Sequence, residues 1–191
     1  MDLAEADTRV LDAAEELFYE RGVQVVGMDE IRAASGVSLK RLYQLHPSKS
    51  DLVRAYLERR DTRWRADLAR YVEGRPVGEE RLLAVFDRLY RWFSEPSFRG
   101  CAFVNSFGEL GAVHPAVAEA ARAHKNAFRD YLAALLEDAG KPAALTAPLL
   151  LLAEGAMVTA AVSGTPEPAR EARQAAAFLL AAAHYPATAD A

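Results

Sequence analysis

Residues 31–49 read IRAASGVSLKRLYQLHPSK, two short helical patterns broken by a single glycine, Gly36. A one-residue break between helices of about two turns suits the tight turn of a helix-turn-helix. Ser38 follows the break, where its hydroxyl can cap the free amides of Leu39 to Arg41, and Pro47 closes the second helix near Leu45. Ile31, Ala34, Val37 and Leu42 supply the apolar contacts that would lock the two helices together. That leaves Lys40, Arg41, Tyr43 and Gln44 on the other sides of the second helix. Long donors on a short exposed helix reach base edges in the major groove, Arg or Lys pairing with guanine and Gln with adenine. Tyr43 can donate its hydroxyl to a phosphate oxygen. Lys49 opens the next helix beside free backbone amides, a position that attracts phosphate. Any one of these side chains alone reads as a solvated polar residue. The arrangement carries the reading.

Working outward, an amphipathic helix is expected over Leu3–Arg21, where Val10, Ala13, Ala14, Leu17 and Phe18 recur at three-and-four spacing and Gly22 stops it. A short helix from Met28 to Ser35 follows, with Gly27 as N-cap and Glu30 able to reach back. Ser48 caps a long helix to about Val72, with Asp51 placed as in a capping box. Five further helices are expected at about Glu79–Phe93, Cys101–Leu110, Pro115–Ala139, Ala143–Ser163 and Glu167–His184, separated by Gly and Pro. No strand-like alternation occurs. The fold class is therefore all-α, about nine helices with short connections, with residues 186–191 fraying.

The net charge of −4 argues nothing for a polyanion, but its distribution does. Residues 1–30 hold two basic side chains (Arg9, Arg21) against nine acids. Residues 31–65 hold nine (Arg32, Lys40, Arg41, Lys49, Arg54, Arg59, Arg60, Arg63, Arg65) against Asp51, Glu58 and Asp61. A surplus of this size inside an acidic chain marks a contact surface for a polyanion.

From Val10 to about Arg60 the chain resembles the DNA-binding domain of the TetR (tetracycline-repressor) family. The resemblance rests on Ala13-Ala14 with Leu17-Phe18, Arg21-Gly22, Asp29-Glu30-Ile31, Gly36-Val37-Ser38, Leu42-Tyr43 and Pro47-Ser48-Lys49 followed by Leu52. It implies a helix-turn-helix domain over 1–47 and a helical ligand-binding and dimerisation domain over 48–191, with the connecting helix starting at 48. It also implies that Ser38, Tyr43 and Lys49 anchor phosphates while Leu39, Lys40, Arg41 and Gln44 face the operator. Three positions depart from the usual pattern. Gly27 replaces a capping Ser or Thr, Leu45-His46 replaces a His-Phe pair, and Arg32 stands where a small Ala is usual, offering a further DNA contact.

Beyond residue 70 the likeness is architectural, apart from Gly100-Cys101-Ala102-Phe103-Val104-Asn105 with Glu109, which is similar to a motif opening the sixth helix in one subgroup. In such proteins a ligand in the helical body alters the spacing of the two DNA-reading units, and the liganded protein releases its operator. The expected pocket comprises Phe86, Tyr90, Phe93, Phe103, Phe107, Phe128, Tyr131 and Met157, with Asn105, Glu109, His124 and Glu154 orienting the effector. The last two helices are rich in Ala and Leu, with more apolar surface than one chain covers. A homodimer on an inverted-repeat double-stranded DNA operator is the implied assembly.

Other classes find less support. The four histidines are scattered, and no nucleophile–base pair or metal-ligand spacing emerges, so neither a small-molecule-processing enzyme nor a metal or other cofactor is expected. Cys101 is the only cysteine, which excludes an internal disulfide and leaves a redox sensor without a resolving partner. Residues 1–20 lack the pattern of a signal peptide, and the apolar stretch Leu145–Val162 carries Pro148 and a central Glu154. A buried helix in a cytoplasmic protein is the expectation there, with no membrane partner.

Overall fold

The computed structural model describes residues 2–183. Among them the order is α1 (Leu3–Arg21), α2 (Met28–Ser35), α3 (Leu39–Leu45), α4 (Lys49–Glu73), α5 (Glu79–Phe93), α6 (Ala102–Leu110) and α7 (Pro115–Asp138). A 3-10 turn (Ala143–Leu145), α8 (Thr146–Ser163) and α9 (Glu167–Ala182) complete it, and none of the described residues forms a strand.

The helix boundaries follow local chemistry. Asp2 caps α1 by accepting the Glu5 N–H at 2.8 Å, and Gly22 (φ 92°) ends it. The Gly27 N–H donates to Glu30 at 3.1 Å, as foreseen for α2. Ser48 Oγ accepts the Asp51 N–H at 3.1 Å and donates to Asp51 Oδ2 at 2.6 Å, fixing the entry to α4. At the end of α7, Gly140 (φ 62°) bonds back to Glu137 and Lys141 to Leu136, both at 2.9 Å, a Schellman termination.

Two expected helix starts differ. Cys101 is the extended cap of α6 rather than its first residue. Ala143–Leu145 winds as 3-10 because Pro148 has no N–H to give the Ala144 carbonyl, so the turn tightens to i−3 bonds such as Leu145 N–H to Pro142 at 3.0 Å. α9 is described to Ala182, and the expectations for His184 and for residues 186–191 lie outside the described residues.

The helices form two compact units, and these divide the chain differently from a cut at residue 47. The first takes the residues up to Trp64 together with Cys101–His124. Its core includes Val10, Ala14, Phe18, Val26, Ile31, Val37, Leu42, Leu52 and Tyr56, all buried. Each large apolar side chain so buried contributes about 1.5–3 kcal/mol. Ala34, expected in this core, is exposed, and Ser35 is buried in its place, its hydroxyl accepting the Val37 N–H at 3.3 Å.

The second unit takes Arg65–Gly100 and the residues from Lys125 on. Here α5, α8 and α9 pack on one another. Phe86, Leu89, Phe128, Leu132, Leu136, Leu149, Met157, Ala176 and Leu180 are among its buried residues. Lys141, its side chain only 4% exposed, pairs with Glu79 at 2.6 Å and donates to the Leu180 carbonyl at 3.0 Å.

The expectation of a buried helix at 145–162 is only half met. α8 buries Leu149, Ala153, Ala156, Met157 and Ala160 but leaves Leu151, Val158 and Val162 71%, 50% and 85% exposed. Its apolar residues run around the whole helix, so one face remains exposed. By length and composition alone Ala143–Ser163 could cross a membrane. Its central Glu154, however, is ion-paired with Lys125 at 2.6 Å, and α8 lies in a helix bundle.

Candidate nucleic-acid interface

The second helix of the motif is placed by what surrounds it. Gly36 adopts the left-handed conformation (φ 66°) that ends α2, which lets the chain reverse within one residue. Ser38 Oγ accepts the Arg41 N–H at 3.3 Å and starts α3. Leu42 is fully buried, and buried Val37 precedes the helix. At the other end His46, also buried, bonds through Nε2 to Asp7 Oδ1 at 2.9 Å, tying the end of α3 to α1. Sequence reasoning missed this clamp, because a histidine beside a proline gives no sign of its partner 39 residues away.

With Leu42 turned inward, Leu39, Lys40, Tyr43 and Gln44 are exposed and Arg41 is half-exposed. Neither Lys40 nor Arg41 has a carboxylate partner among the described residues. Arg32 is exposed and lies 3.5 Å from Asp29. Lys49 is half-buried and donates to the Gln24 carbonyl at 3.0 Å. Burial pulls its ammonium below the ordinary lysine range, partly opposed by Glu109 and Glu30.

The basic surplus of residues 31–65 is smaller at the surface than the sequence count implies. Arg59 pairs with Asp12 and Glu15, both at 2.8 Å, while Arg60 and Arg63 reach Glu15 at 3.2 and 2.9 Å. These three arginines clamp α4 to the acidic face of α1. The cations left for a polyanion are concentrated on α3.

The residues expected to line an effector pocket fall into both units. In the first, Phe103 and His124 are buried and stacked, with ring centroids 3.8 Å apart and planes 5° from parallel. Trp64 meets His124 edge-on at 5.0 Å, and Nδ1 of His124 is 2.7 Å from Asp61. Asn105 and Phe107 are on the exposed side of α6. Glu109 is held by the Gln24 N–H at 2.7 Å.

In the second unit Phe86, Phe93, Phe128 and Met157 are buried, and Tyr90 lines a surface groove. Tyr131 Oη and Glu154 Oε1 are buried without a hydrogen-bond partner. Burial pushes the Tyr131 phenol up to about 12. Orphaned polar atoms of this kind are rare in a protein interior. Cys101 is buried, and no cluster of potential metal ligands occurs among the described residues.

A helix-turn-helix with an outward cationic helix, followed by a helical body, defines a transcriptional regulator. Residues 10–56 match the bacterial regulatory proteins of the tetR family, and residues 78–176 match the tetracyclin repressor-like C-terminal domain. The chain belongs to the TetR family. It is similar to the crystal structure of a TetR-family transcriptional regulator from Streptomyces coelicolor, with 30% identity and a TM-score of 0.86 over 95% of this chain and 91% of that one. An uncharacterized HTH-type transcriptional regulator of Mycobacterium tuberculosis is 43% identical over 58 residues, 30% of this chain and 29% of that protein. An HTH-type transcriptional activator of Mycolicibacterium smegmatis is 47% identical over 51 residues, 27% of this chain and 23% of that protein. Both of these matches span less than a third of the relative's length. The family models and similar proteins are described as transcriptional regulators.

Proposed function

We propose that this protein is a cytoplasmic, ligand-responsive repressor that binds an inverted-repeat operator as a homodimer and is released by a small apolar or amphipathic effector. The observation that carries the reading is α3, anchored by buried Leu42 while Lys40, Tyr43 and Gln44 face outward. Lys40, Arg41 and Gln44 read bases, and Ser38, Tyr43 and Lys49 hold phosphates, with Arg32 as a further contact. Leu39 sits at the tip of α3, where its apolar side chain meets a thymine methyl.

Pairing of two copies is supported by the exposed apolar face of α8 and α9. Phe178 is 67% exposed beside Leu151, and with Pro148, Leu152, Ala175, Leu179 and Ala182 they line an open apolar groove of about 620 Å³. A face of this kind is costly to leave in water and marks an interface. In the second unit, the effector pocket is supported by two orphaned buried oxygens, Tyr131 Oη and Glu154 Oε1, and by the buried Phe86, Phe128 and Met157. A ligand there would be mainly apolar, with a donor for the Glu154 carboxylate. The expected test is selection of bound DNA from a random pool. Enrichment of a two-fold symmetric site supports the reading, and recovery of unrelated sequences overturns it.

A further inference from the structure

A polar groove lies on the surface of the second unit, its floor reaching Phe86 and Ala169. α5, α9 and the end of α4 enclose this groove of about 240 Å³, walled by Tyr71, Asp87, Tyr90, Arg91, Arg170 and Arg173. Its volume is below the roughly 300–1,000 Å³ of sites for drug-sized ligands. The three guanidiniums outnumber the single lining carboxylate, in a chain whose net charge is −4.

Each arginine is held differently. Arg173 is ion-paired with Asp87 at 2.8 Å, a neutralised pair that neither attracts nor repels strongly. Arg170 lies over the Tyr90 ring at 4.1 Å and spends Nη1 on both oxygens of Glu167, at 3.0 and 3.2 Å. Arg91 lies over the Tyr71 ring at 4.8 Å and has no carboxylate partner among the described residues. Arg75 takes the same ring at 5.0 Å and donates to its hydroxyl at 3.1 Å, so both guanidiniums lie against Tyr71. An exposed charged face would leave such side chains free in water. Here the rings orient the guanidinium planes in advance, which lowers the entropy lost when they bind.

We propose that this groove binds a small organic anion through a carboxylate or phosphate group, with Arg91 as its principal ligand and Arg170 assisting. A guanidinium fork matches the paired oxygens of either group, and one such group offsets most of the positive excess. At about 100° per residue, Arg170 and Arg173 lie roughly 80° and 140° around α9 from Phe178, so pairing of copies through Phe178 leaves the groove open. The site stands independently of DNA binding.

The test follows the Arg Nε–Hε and Tyr ring NMR signals of the full chain at constant ionic strength. Benzoate, phenyl phosphate and inorganic phosphate are added separately, with chloride as control. The expected result is saturation at millimolar concentration by at least one organic probe, with shifts confined to Arg91, Arg170, Tyr71 and Tyr90. Preference for benzoate assigns a carboxylate, and preference for either phosphate assigns a phosphate. Arg91→Gln should weaken binding at least fivefold and Arg170→Gln to a lesser extent, both with unchanged thermal unfolding because both side chains are exposed. The proposal is overturned by no saturation with any probe, by equal shifts with chloride, or by undiminished affinity in both variants.

Discussion

The Glu109 carboxylate accepts the backbone N–H of Gln24 at 2.7 Å, which fastens the C-terminal half of α6 to the turn between α1 and α2. Both its oxygens also lie 3.0 Å from where a Cβ on Gly22 would stand. Gly22 itself is at φ 92°, ψ 150°, a conformation that side chains other than hydrogen resist. Gly22→Ala therefore adds backbone strain to a steric push on the Glu109 carboxylate. The expected loss is about 1–3 kcal/mol, read from the urea midpoint. Combining it with Glu109→Ala separates the two effects, since removing the carboxylate should recover only the steric part. An unchanged midpoint in Gly22→Ala counts against both.

The helix-turn-helix was legible because its signals are local. Gly22, Gly36 and Pro47 mark boundaries, and Ser38 and Ser48 cap within three residues of themselves. What the sequence hid is paired across long separations. His46 with Asp7, Glu109 with Gln24, and Arg59 with Asp12 are 39, 85 and 47 residues apart, and each residue alone looks like an ordinary polar position. Charge counting overstated the cationic surface for that reason. Ala34 and Ser35 exchanged places because a two-turn helix has too few residues to fix its inward direction. α8, apolar all round, has no periodicity to tell the face packed inside the chain from the face left over.

The cations of α3 and Lys49 should separate in a gel-shift titration. Lys40→Ala with Arg41→Ala removes the proposed base-reading donors, each worth about 1–3 kcal/mol of discrimination, so affinity for the selected site should fall toward that for random DNA. Lys49→Ala should instead weaken all sequences about equally and reduce the salt slope by roughly one unit. Retained selectivity in the first variant, or an unaltered slope in the second, would remove those roles.

Acid should loosen the caps of α2 and α4. Glu30 is held below the ordinary carboxylate value of 4.5 by the Gly27 N–H and by Arg21, and Asp51 below 3.8 by the Ser48 hydroxyl. A depressed folded pKa adds stability that is fully present above the unfolded value and is lost as pH falls through the folded one. The urea midpoints of the parent and Glu30→Gln should therefore differ most above about pH 5 and converge as pH falls below 4.5. A constant gap down to pH 3 would show that the carboxylate's charge is not what stabilises the cap.

The proposed pairing of copies would use α8 and α9, and Phe178 is the residue to change. It is 67% exposed at the mouth of the apolar groove, so Phe178→Glu costs the isolated fold little. In a two-fold interface the same substitution appears twice, placing two carboxylates in an apolar contact. Burying an unpaired charge costs several kcal/mol, and every 1.4 kcal/mol is tenfold in a dissociation constant. Sedimentation velocity at micromolar concentration should therefore show a dimer for the parent and a monomer for Phe178→Glu, with equal helical content by circular dichroism. Operator binding should fall with it, because each half-site would be held by a separate copy. A variant that stays dimeric moves the interface elsewhere. A parent that is already monomeric leaves the apolar face of α8 to another partner and rules out the symmetric operator.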